Sequence, residues 1–194
     1  MPRKTTILIV ILALITGVLI FLAVRSDQGQ QLLNTDATPT PTTIQPYASI
    51  SFANGVVNAS SGPTTQSVDI IIDTLDRPVA GAQLELSYDP AVLSNVTVKT
   101  PSTSFFGTNP SVLINAVDPS QGRISYAVGI SASESEKMGR GNVATITFTV
   151  NRQAGVASTS LTFLPKSAVT TLSAPESVLS SANPLQIQIL PATQ

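Results

Sequence analysis

The chain of 194 residues contains no cysteine, no histidine and no tryptophan. Without cysteine it forms neither disulfides nor thiolate metal sites. Without histidine it lacks the commonest general base, the commonest metal ligand and the usual partner of a nucleophilic serine. Only carboxylates, lysines and three tyrosines remain for acid–base work. The composition therefore speaks against an enzyme, leaving a carboxylate pair for glycoside cleavage as the open exception. Charge is scarce too, with 10 Lys and Arg against 11 Asp and Glu. No basic cluster offers an electrostatic footprint for nucleic acid.

What the chain does have is one long apolar run, ILIVILALITGVLIFLAV at residues 7–24. As a helix this run rises ~27 Å, close to the thickness of a bilayer's hydrocarbon core. Arg3 and Lys4 precede it, whereas Arg25 is offset by Asp27. The positive-inside rule then puts the N-terminus in the cytoplasm and the rest of the chain outside the cell. A cleaved signal peptide would have a shorter apolar region and a small-x-small site, which Leu22-Ala23-Val24-Arg25 does not supply. Residues 1–25 are thus expected to be a single-pass membrane anchor. Residues 26–46, with a Thr-Pro core and few apolar side chains, read as an extended linker reaching roughly 60 Å.

From Tyr47 to the end the pattern changes to short apolar or alternating runs divided by turn residues, as in an all-β sandwich. Strands are predicted near residues 48–53, 67–73, 81–88, 92–99, 112–117, 123–131, 142–150, 158–164 and 185–190, nine in all. Alternation assigns faces. Ala82, Leu84, Leu86 and Tyr88 point inward, leaving Gln83, Glu85 and Ser87 outside. Ile124, Tyr126, Val128 and Ile130 form a second inward set. Ala144, Ile146, Phe148 and Val150 form a third, with Thr145, Thr147 and Thr149 facing out. A domain of this length buries such a core without disulfides.

Three segments carry a resemblance. Ala80-Gly81-Ala82-Gln83-Leu84-Glu85-Leu86-Ser87-Tyr88-Asp89-Pro90-Ala91-Val92-Leu93 resembles the third strand and following turn of cohesin domains. Gly122-Arg123-Ile124-Ser125-Tyr126 and Gly141-Asn142-Val143-Ala144-Thr145-Ile146-Thr147-Phe148-Thr149-Val150 are similar to two later cohesin strands, in the same order. The resemblance implies a nine-stranded jelly-roll sandwich that binds dockerins, small calcium-loaded helical modules, in polysaccharide-degrading assemblies. It also implies a partner lying across one sheet and touching polar residues of the third strand. Those positions are Gly81 and Gln83 here, where family members carry Asn and Asp, so ordinary dockerin specificity is not expected. The expected partner-binding residues are Gln83, Glu85, Ser125, Thr145 and Thr147, on one flat, polar, nearly uncharged face without an aromatic or Arg anchor. No cofactor, metal or catalytic residue is expected. Direct polysaccharide binding is the alternative, and a structural or adhesive surface domain a third reading. Carbohydrate platforms rely on exposed Trp and Tyr rings, which this chain hardly has.

Other features read as structural. Asp89-Pro90 is a turn initiator, and Tyr88 and Tyr126 belong to the core. Loop 131–141, with Glu134, Glu136, Lys137 and Arg140, reads as mobile and solvated. Nothing suggests a cleft around Glu134 and Glu136 that would make them a glycosidase pair. Asp73 and Asp76 would need further oxygen ligands to hold calcium. Phe105-Phe106 is expected to plug one end of the sandwich.

Overall fold

The computed structural model describes residues 44–60, 65–151 and 156–190. The expected anchor at residues 7–24 and nearly all of the linker lie outside the described residues. Among those described, no helix is long and apolar enough to cross a membrane.

Every regular element among the described residues is a strand: β1 (Ala48–Phe52), β2 (Val56–Ser60), β3 (Thr65–Asp73), β4 (Gly81–Ser87), β5 (Leu93–Lys99), β6 (Ser111–Asp118), β7 (Arg123–Gly129), β8 (Arg140–Val150), β9 (Ser158–Phe163), β10 (Ala168–Thr170), β11 (Leu179–Asn183) and β12 (Leu185–Leu190). One sheet has the order β11-β1-β3-β8-β5. The other runs β2-β12-β9-β4-β7-β6, with β10 also paired to β4. Pairing is antiparallel except for β1 with β11 and β12 with β2.

The inner faces supply the core. Val68, Ile70 and Ile72 of β3 and Ala144, Ile146, Phe148 and Val150 of β8 are buried from one sheet. Ala82, Leu84 and Leu86 of β4 and Ile124, Tyr126 and Val128 of β7 are buried from the other. Each large apolar side chain so buried contributes ~1.5–3 kcal/mol relative to exposure. Tyr88 and Tyr126 are in this core, as expected. Phe106 is fully buried, with the Phe105 ring edge-on to it at 5.1 Å. Phe105 also packs on Gly141, where a Cβ would lie 3.0 Å from its ring. The pair is a plug.

The strand count corrects the expectation of nine. The additional strands are β2, β10 and β11. β10 is three residues long, and β11 (LSSAN) has one large apolar side chain, too few for alternation to register. β2 pairs only with β12, so its fold depends on a distant partner rather than on its own pattern.

Candidate partner-docking face

The outward residues of β4 and β7 meet in register: Gly81 opposite Gly129, Gln83 opposite Ala127, Glu85 opposite Ser125 and Ser87 opposite Arg123. Gln83 donates from Nε2 to Glu85 Oε1 at 3.0 Å, and Ser125 donates from Oγ to Glu85 Oε2 at 2.7 Å. Each carboxylate oxygen is therefore engaged by a different strand position. Charge-assisted bonds of this kind fix the orientation of a side chain that would otherwise sample many rotamers. Three of the five expected site residues come together here.

The other two do not. Thr145 and Thr147 belong to β8, in the opposite sheet. Thr145 donates to Asp69 Oδ1 at 2.6 Å, and the Thr147 hydroxyl lies 2.7 Å from that of Thr97. The expected single face is two faces on two different sheets. Alternation reports which side chains point away from the core. A sandwich has two outsides, however, and strand period does not distinguish them.

Beside the Glu85 cluster lies a groove of about 340 Å³. Gly81, Ala127 and Gly129 are among the small residues lining it, and Leu113 and Leu172, each 75% exposed, also border it. A Cβ on Gly129 would lie 2.8 Å from the Ala80 carbonyl oxygen, so the close approach of β7 to the start of β4 requires glycine. Leu113 sits at a register shift between Val112 and Ile114, which leaves it out of the β6–β7 pairing. Val112 and Ile114 are exposed as well. The expectation was of a polar face without an aromatic or Arg anchor; the exposed apolar side chains that border the groove are aliphatic. The signal was Val112-Leu113-Ile114 itself, an unbroken apolar run in a strand with only one partner.

Loop 131–141 is tied down rather than free. Val79 and Lys137 exchange both backbone hydrogen bonds at 2.9 Å, and Glu134 pairs with Lys137. Glu136 Oε1 accepts from the Thr171 hydroxyl at 2.5 Å and from the Leu172 amide at 2.7 Å. The two loop carboxylates thus serve separate partners. Asp73 Oδ1 accepts from the Leu75 amide at 3.1 Å. Among the described residues, no group of three or more acidic side chains could hold a metal ion. No aromatic ring is among their exposed large hydrophobic side chains.

The sequence profile of the family described as Cohesin domain matches residues 55–189. The chain belongs to the cohesin domain family. Comparison with curated proteins returns no match. Among solved structures, the solution structure of the cohesin CaCohA2 from Clostridium acetobutylicum is similar at TM-score 0.59 and 20% identity, covering 75% of this chain and 92% of that one. A chain of a type I cohesin–dockerin complex from Clostridium thermocellum gives TM-score 0.63 at 14% identity, covering 77% and 97%. A non-cellulosomal cohesin from the hyperthermophilic archaeon Archaeoglobus fulgidus gives 0.53 at 16%, covering 74% and 91%. At such identities the likeness is one of fold.

In this cohesin the motif residues are structural. The Tyr88 amide donates to the Gly122 carbonyl at 2.9 Å, joining the first motif to the second. Gly122 has φ +60°, and a Cβ there would lie 2.1 Å from the Tyr88 carbonyl oxygen. Asp89 starts the turn as expected: its Oδ1 accepts from the Ala91 amide at 2.9 Å, and its carbonyl accepts from Val92 and Leu93.

Proposed function

We propose that this cohesin is a binding module that captures a dockerin-like protein on the outer face of β4, β7 and β6. The module is displayed outside the cell on an N-terminal membrane anchor, in a polysaccharide-degrading or other surface assembly. The observation that carries the reading is the placement of the held Glu85 carboxylate beside the groove bordered by Leu113 and Leu172. Apolar surface ready for desolvation next to an oriented polar group is the combination from which protein–protein hot spots are built. The solved cohesin–dockerin complexes with a similar fold support the class of partner. The apolar run at residues 7–24, preceded by Arg3 and Lys4, supports the anchor.

The test is capture of calcium-loaded dockerin modules from the source organism by the full chain and its variants. Gln83→Arg and Leu113→Asp should abolish capture with little change in melting temperature. The wild-type affinity should be on the order of micromolar, since the anchors are few and aliphatic. Thr147→Lys, on the other sheet, should leave capture intact. Loss of capture in Thr147→Lys with retention in Gln83→Arg would place the partner on the opposite face. Binding to insoluble polysaccharide with no dockerin captured would replace the reading with carbohydrate recognition.

A further inference from the structure

Leu172 presents a physical puzzle. It is 75% exposed and borders the groove, so its own side-chain packing does little to hold it in place. β10 ends at Thr170, and the backbone is next paired at Val178, whose amide donates to the Val169 carbonyl. The hydrogen bonds that tie residues 171–173 to another element both end on one atom, Glu136 Oε1, which accepts from the Thr171 hydroxyl and the Leu172 amide. The remaining hydrogen bonds of this turn among the described residues are internal, between Thr171 and Ser173, and Thr171, unlike Leu172, is buried.

Glu136 itself stands on a fixed base. Its neighbour Lys137 exchanges two backbone hydrogen bonds with Val79, which is fully buried and lies two residues before Gly81. The lining residue Gly81 and the bordering Leu172 are therefore referenced to the same short segment of loop 131–141. Resting on the docking reading above, we propose that Glu136 is a positioning residue for partner capture, holding Leu172 at the groove by accepting these two hydrogen bonds. An ionised carboxylate accepting an amide and a hydroxyl makes stronger bonds than a neutral acceptor would. A pre-set wall spares the partner the entropy of ordering it on binding.

Two readouts test this on the full chain. The first needs no partner: amide hydrogen exchange at Leu172 should speed up at least about tenfold in Glu136→Ala, as expected for a lost protecting bond. Glu136→Gln keeps an acceptor oxygen and should retain most of the protection. The second is affinity for a calcium-loaded dockerin module. Glu136→Ala should weaken it about tenfold, the scale of one well-ordered contact. Glu136→Gln should stay within about threefold, and Glu136→Ala with Leu172→Ala should be no worse than Leu172→Ala alone. Melting temperatures should change little.

The outcomes separate the two ideas. If Leu113→Ala and Leu172→Ala leave capture unchanged, or no dockerin module is captured at all, the docking reading fails, and Leu172 exchange alone decides whether Glu136 holds the turn. If those variants lose affinity while Glu136→Ala does not, the positioning role is overturned and the docking face stands. Unchanged Leu172 exchange in Glu136→Ala overturns the clamp in every case.

Discussion

Phe148 is fully buried on β8, between β3 and β5 in the sheet order, and its ring faces the opposite sheet. Removing the ring should leave a cavity that two hydrogen-bonded sheets close only in part. Phe148→Ala should therefore cost ~3–5 kcal/mol in urea unfolding. A nearly silent change would contradict the inward register of β8. Gly122→Ala should destabilise by more than about 1 kcal/mol, because a positive φ and a carbonyl oxygen at 2.1 Å leave its Cβ no room. The tyrosines make a third prediction. Burial pushes the phenols of Tyr47, Tyr88 and Tyr126 above their ordinary value near 10. Nearby Asp118 adds to this at Tyr88, while Arg77 at Tyr47 and the Thr100 hydrogen bond at Tyr126 act against it. Because the folded chain holds these protons more tightly than the unfolded chain, their contribution to stability is intact below about pH 10. It is lost as pH rises through the folded values. Urea midpoints measured from pH 8 to 12 should fall only in the alkaline limb, and a rise there would contradict the burial of the three rings.

At the scale of elements, period-two alternation located β4, β7 and β8 and the inward side of each, because their neighbouring positions differ sharply in polarity. Ala82-Gln83-Leu84-Glu85-Leu86 leaves no second register that buries apolar groups. The same alternation could not sort Thr147 from Gln83, since sheet membership is decided by long-range pairing such as β3 with β8 and β4 with β7. Nor could it find the groove. That depends on Gly81 and Gly129 facing each other, on the register shift that frees Leu113, and on a turn about 90 residues away from β4 that brings in Leu172. The Glu85 cluster was half legible: its three residues were expected to face outward, but the hydrogen bonds joining them follow from the pairing of Glu85 with Ser125. For Glu136 there was no sequence signal, because a charged loop residue reads as solvated until the strand end it touches is known.

For the whole molecule, the display outside the cell proposed above rests on the composition of residues 7–24 and of the Thr-Pro-rich stretch after them. Protease added to intact cells should cut within residues 26–46, where the composition offers no packed structure, and release a fragment of roughly 16 kDa. Recovery of the same domain from the medium without protease would mean that the apolar segment is cleaved during export. The central claim, however, is that a protein partner docks on the outer face of β4, β7 and β6. It is tested most directly by mapping backbone amide shifts of the isotope-labelled chain as a calcium-loaded dockerin module is added. The account predicts perturbations clustered at Gln83, Glu85, Leu113, Ser125 and Leu172, with Thr97, Thr145 and Thr147 unmoved. A cluster centred on Thr145 and Thr147, with Gln83 and Leu113 unmoved, would contradict it.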